Sequence, residues 1–172
     1  MASKKKTSKS EEPRKRLALV RIRGTNNCWR SISDTLSMMN LRRIHNLSFV
    51  DNRDSYKGMI QKGKDWIAWG EPSAEVVSAI IAKWGRLPGN KKVTDAYVAE
   101  NTKFKTIDEF AQAFVKCEAE LDDIPDIKPF FRLHPPIGGH RKKGIKISYN
   151  AGGANGYRAE EINDLIKAMG GL

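Results

Sequence analysis

Residues 14–24 read RKRLALVRIRG, a basic lead-in that passes into an alternating stretch and ends on a glycine. In an extended chain successive side chains point to opposite faces. Leu17, Leu19, Arg21 and Arg23 therefore share one face, and Ala18, Val20 and Ile22 the other. The second face is wholly apolar and is expected to carry the helices that follow. The first is apolar where it begins and cationic where it ends. A strand with both faces in use suits the middle of a sheet. The segment after Glu71 is expected to cover Leu17 and Leu19, leaving Arg21 and Arg23 at the rim. On composition alone, an ordinary strand whose arginines reach solvent is the plainer reading.

Working outward, Ser31 followed by Asp34 reads as a helix start, with Trp29, Ile32, Leu36 and Met39 on one stripe. Residues 41–44 form a basic connector containing Arg42 and Arg43. Residues 45–50 alternate as a second strand, with Leu47 and Phe49 on one face. Asp54 is placed to cap a second helix that points Tyr56, Met59 and Ile60 inward, and residues 66–70 read as a third strand. The order is β-α-β-α-β by residue 71, an α+β sandwich. Beyond it, Ser73 caps a helix with the stripe Val77, Ile80, Ile81 and Trp84. A short helix is expected over 94–101, and Thr106 with Glu109 starts another carrying Ile107, Phe110, Phe114 and Val115. Residues 121–129 are an acidic, proline-bounded linker and 127–133 can form a strand. Residues 142–149 alternate as part of a basic, glycine-rich hairpin. A last helix buries Ile162, Leu165, Ile166 and Met169. The division is a basic tail (1–16), a core (17–71) and a helical and basic extension (72–172).

The net charge is +11, and its distribution is more informative than its size. Residues 1–16 contribute +5 and residues 128–158 contribute +7, while everything else comes to −1. A nearly neutral globule with two cationic segments is the pattern of a polyanion binder. An anionic membrane surface fits less well, because neither segment has an amphipathic helical pattern. No apolar run approaches the roughly 20 residues of a membrane span, and the first residues lead into no secretory signal. Cys28 and Cys117 make no disulfide framework and suit a reducing cytosol. Residues 1–15 lack apolar content and are expected to be disordered in isolation, ordering along RNA through Lys4, Lys5, Lys6, Arg14 and Lys15.

Residues 128–158 hold seven Lys/Arg and no acid, and six of the fourteen glycines fall between 138 and 156. Glycines let main-chain N–H groups approach phosphate, and Arg132, Arg141, Lys142, Lys143, Lys146 and Arg158 supply charge. His134, His140, Tyr149 and Tyr157 could stack on bases or ribose. The competing reading is a loose surface hairpin with incidental charge. Arg16, Arg21, Arg23, Arg42 and Arg43 extend the candidate RNA surface. Cys28, Cys117, His134 and His140 lack the spacing of a zinc site, so no metal is expected. No phosphate-binding glycine motif and no acid–base pair are present, which leaves no cofactor and no catalytic residue. Trp66 and Trp84, with Trp29, read as core. Trp69 reads as core or as an exposed stacking platform.

Several short motifs resemble landmarks of a known family. They are LVRIRG at 19–24, DTL at 34–36, LRRIH at 41–45, YKGMI at 56–60, WGEPS at 69–73, FRLHPP at 131–136, GGH at 138–140 and GYRAEEIN at 156–163. Their order and spacing are similar to the archaeal form of large-subunit ribosomal protein L-thirty, related to the eukaryotic L-seven protein. The resemblance covers about residues 17–171. It implies a three-stranded sheet with the first strand central, plus a helical and basic extension. It also implies a structural, cytoplasmic role holding large-subunit ribosomal RNA near domain II and the 5S RNA, beside other ribosomal proteins. An RNA-processing enzyme and a free RNA-binding regulator are the alternatives.

Overall fold

The structure is a computed structural model that describes residues 14–172. Expectations about residues 1–13, Lys4, Lys5 and Lys6 included, lie outside the described residues. The core begins with β1 (Arg16–Arg21), α1 (Arg30–Met38), β2 (Asn46–Asp51), α2 (Asp54–Gly63) and β3 (Ile67–Gly70). The remainder adds α3 (Ala74–Trp84), α4 (Asp95–Asn101), α5 (Ile107–Val115), β4 (Phe131–Arg132), β5 (Gly156–Tyr157) and α6 (Ile162–Gly170).

The sheet order is β4-β2-β1-β3-β5, so the first strand is central but the sheet has five strands instead of three. The extension supplies both extra strands. β4 pairs antiparallel with the start of β2, and β5 pairs parallel with β3. β4 lies within the strand expected over 127–133 but is only two residues long, and β5, equally short, has too little alternation of its own to announce it.

The two faces of β1 are used in the reverse of the expected way. Leu17 and Leu19 pack with Leu36 and Met39 around α1, with Ile60 of α2, and with Val50, Trp66 and Ile67. Ala18, Val20 and Ile22 pack with Leu47, Phe49 and Ala68 and with the stripes of α3, α5 and α6. The first two helices thus cover the Leu17 face, and the segment after Glu71 covers the other. The larger core is therefore shared between residues 17–71 and 72–172.

Local chemistry explains most helix ends. Ser73 Oγ accepts from Val76 N at 3.4 Å, and Thr106 Oγ1 accepts from Glu109 N at 3.2 Å. Such caps contribute about 1 kcal/mol each. Two capping expectations are corrected. The N-cap of α1 is Trp29 and that of α2 is Arg53, neither with a side-chain cap bond. Trp29 consequently lies outside the helical stripe and is 78% exposed, not core. Gly70 is required by packing, since a Cβ there would sit 2.1 Å from the Ala159 carbonyl oxygen.

Candidate nucleic-acid interface

The end of the sheet where β1 finishes gathers most of the candidate cations. Asn46, the first residue of β2, faces Arg132 of β4. His45 N donates to Arg21 O at 2.8 Å, and Leu133 N donates to His45 O at 3.1 Å. This places Arg42 and Arg43, both exposed, beside Arg132, also exposed. Arg23 lies at the same end, its guanidinium 4.5 Å from the Trp66 ring centroid and donating to Asp65 O at 3.2 Å.

Arg16, Arg21 and Arg158 have a different job from the expected one. Arg21 is 1% exposed and donates to the carbonyls of Leu41, Arg42, Arg23 and Gly24. It ties the connector at 41–45 and the turn after β1 to the strand. Burial lowers its pKa from the ordinary value. Arg16 is buried at the far end, paired with Asp51 and donating to Glu120, Phe114 O and Ala119 O. Arg158 donates to Ala154 O at 2.6 Å, and its guanidinium sits 4.7 Å from the Tyr149 ring centroid. Burial and then the nearby Arg141 push its pKa down to about 10. These three guanidinium groups are spent inside the fold, which takes them out of direct reach of RNA.

Residues 134–158 do not form the expected hairpin. They run as successive turns, closed by Gly139 N donating to Pro136 O at 2.9 Å and Gly144 N to Arg141 O at 2.8 Å. Within the segment a parallel bridge joins Ser148 and Asn155, and its end, β5, pairs outward with β3. Besides the β5 pairing, the segment is anchored where His134 N donates to Met169 O, Ile137 N to Ala168 O, Arg158 N to Trp69 O at 2.9 Å, and Asn155 Nδ2 to Asp65 O at 2.7 Å. Gly153 serves the segment's own packing, because a Cβ there would lie 2.0 Å from the Ile147 carbonyl oxygen. Lys142, Lys143 and Lys146 are exposed and form no ion pair among the described residues. Arg141 is also exposed, but it lies over Tyr149 at 3.9 Å and donates to Glu161 at 3.2 Å. Tyr149 is thus already covered by two guanidinium groups.

The histidines differ. His134 is exposed and meets Trp84 edge-on at 4.9 Å. His140 is half-buried, and its pKa is lowered first by burial and then by His45 and Arg158. Burial also lowers that of His45. The Nδ1 atoms of His45 and His140, Nε1 of Trp66 and Oδ1 of Asn155 are buried without a hydrogen-bond partner among the described residues. All four belong to the residues that build this end of the sheet. Arg86 and Lys128 border a cavity with Arg132, a neighbourhood the sequence did not signal because three separate elements create it. Among the described residues no cluster of three or more metal-ligating side chains occurs, and no helix is long and apolar enough to cross a membrane.

The sequence model described as ribosomal protein L30p/L7e matches residues 17–67. The protein named large ribosomal subunit protein uL30 from Methanopyrus kandleri is 49% identical over 148 residues, covering 86% of this chain and 99% of its own. Its namesake in Methanobrevibacter smithii is 49% identical over 151 residues, 88% of this chain and 97% of its own. That of Archaeoglobus fulgidus is 46% identical over 152 residues, 88% and 98% respectively. The chain belongs to the ribosomal protein L30p/L7e family. The family match at 17–67 spans β1 to the start of β3. The likeness to the uL30 proteins runs much further, so it takes in much of the extension that builds both sheet edges.

Proposed function

We propose that the chain is a structural, non-catalytic constituent of the large ribosomal subunit that binds ribosomal RNA. The contact is made chiefly by the end of the sheet where the connector 41–45 meets the loop 134–158. One observation carries this reading. The segment with seven cations and no acid folds back onto the same sheet end as Arg23, Arg42 and Arg43. Such a surface neutralises phosphates and releases counterions.

The contacting side chains are Arg23, Arg42, Arg43, Arg132, His134, His140, Arg141, Lys142, Lys143 and Lys146, with Arg14, Lys15 and Tyr157 at the other end of the sheet. Lys4, Lys5 and Lys6 extend the set on charge alone. Neighbouring ribosomal proteins are further partners, and the setting is the cytoplasm. A position beside domain II of the large RNA and the 5S RNA rests on the resemblance in motifs. Sedimentation of the tagged chain tests the reading. It should travel with large subunits and stay bound through a high-salt wash, and hydroxyl-radical footprints on the RNA should fall in domain II and near the 5S RNA. Release into the free pool at moderate salt would favour a free regulator.

A further inference from the structure

At the opposite end of β1, the layer formed by α1 and α2 leaves a cavity of about 540 Å³ on the Leu17 face of the sheet. That volume lies within the range of small-ligand sites, ~300–1,000 Å³. Leu17 and Ile60 form part of its lining. Trp69 and Tyr157 are register partners on adjacent parallel strands and stand on the same face. Their ring centroids are 6.4 Å apart with planes inclined at 42°, so they form an open wedge and do not stack on each other. Tyr157 is 48% exposed. Its hydroxyl donates to both carboxylate oxygens of Glu71, at 2.9 and 3.0 Å, which fixes the ring and the acid together. Lys15 and Lys57 also line the cavity.

We infer that this corner is a site for one unstacked nucleobase of the RNA, held against Trp69 and Tyr157. The inference rests on the RNA-binding reading above. Aromatic faces take any base, because every base has a π-face. The Glu71 carboxylate only accepts hydrogen bonds, so it favours a base that offers an exocyclic amine (adenine, cytosine or guanine) over uracil. Lys15 at the mouth suits the adjoining phosphate. The cations at both ends of the sheet then grip backbone, and this corner grips a base.

Equilibrium binding of the full chain to purified large-subunit ribosomal RNA, measured across salt, tests the site. Tyr157→Ala should weaken binding by about ten-fold, in the range of base–aromatic stacking, with the slope of log affinity against log salt unchanged. Tyr157→Phe, which keeps the ring, should stay within about two-fold. Wild-type affinity in Tyr157→Ala, with tight binding by the parent chain, overturns the base site and leaves the RNA reading intact. Failure of the parent chain to bind overturns both. As a measurement that does not depend on a weakened variant, p-benzoylphenylalanine at position 157 should photo-cross-link to RNA in isolated large subunits. A cross-link to protein instead overturns the inference.

Discussion

The guanidinium of Arg21 donates to the Leu41 carbonyl at 2.8 Å, across twenty residues of chain that include the whole of α1. The contact makes Arg21 the clasp of the connector that presents Arg42 and Arg43. A planar fork with several donors is needed to serve Leu41, Arg42, Arg23 and Gly24 at once, and lysine cannot reproduce it. Arg21→Lys is therefore expected to cost about 2–3 kcal/mol, because buried carbonyls lose their donors. Arg42→Ala and Arg43→Ala should leave the melting temperature nearly unchanged. Chemical denaturation of the three variants measures the contrast, and equal stability among them would refute the role assigned to Arg21.

Asp51 occupies the equivalent position at the other end of the sheet. Its carboxylate receives Arg16, and Arg53 donates to it through Nε at 3.0 Å and Nη2 at 2.7 Å. Both members of the Arg16–Asp51 pair are nearly inaccessible to water. Asp51→Ala would take away the buried counter-ion of Arg16, leaving it Glu120 and two carbonyls, and a loss of about 3 kcal/mol is expected. Replacing Arg16 and Asp51 together by apolar residues should cost less than Asp51→Ala alone. A double-mutant cycle by denaturant unfolding decides the point.

The core was legible where periodicity had room to declare itself. Leu17 through Ile22 alternate over six residues, and Ile162, Leu165, Ile166 and Met169 mark a helical stripe that is buried in full. β5 escaped, and β4 is shorter than the strand expected over 127–133, because a two-residue strand is defined by its distant partner, Trp69 for Tyr157 and Asn46 for Arg132. The same ignorance of partners hid the wedge at Trp69, which needs β5 beside β3. It also misassigned Arg16 and Arg21. A cation on a strand reads identically whether it reaches solvent or turns back onto carbonyl groups. The faces of β1 were exchanged because both are apolar near Leu17 and Ala18, and local sequence does not say which helices cross to which side.

His140 and His45 give the free protein a pH dependence. Both have folded-state pKa values below the ordinary 6.5, chiefly through burial. Below about that pH the unfolded chain takes up protons that the native state refuses, so stability falls as pH falls from 6.5 through the depressed native values. His140→Gln should reduce the loss. Melting temperatures between pH 7.5 and 5 measure it on the RNA-free chain, and an identical pH profile in His140→Gln would exclude that histidine as a source.

Lys142 and Lys143 stand clear of ion pairs among the described residues, whereas Arg141 is engaged by Tyr149 and Glu161. The two lysines are therefore the cations freest to meet phosphate. Each phosphate neutralised steepens log affinity against log salt by about 0.7–0.9. The double change Lys142→Ala and Lys143→Ala should flatten the slope by about 1.5. Affinity should fall almost equally for unrelated RNA sequences, because phosphate contacts position the protein without reading bases. Stability should move by no more than about 0.5 kcal/mol, as expected of exposed positions. Adding Arg141→Ala should flatten the slope further by less than one full contact, since its existing partners compete with RNA. Filter-binding titrations at several salt concentrations provide the slopes. An unaltered slope in the double variant would move the principal phosphate contacts away from the loop, to the basic tail and Lys15.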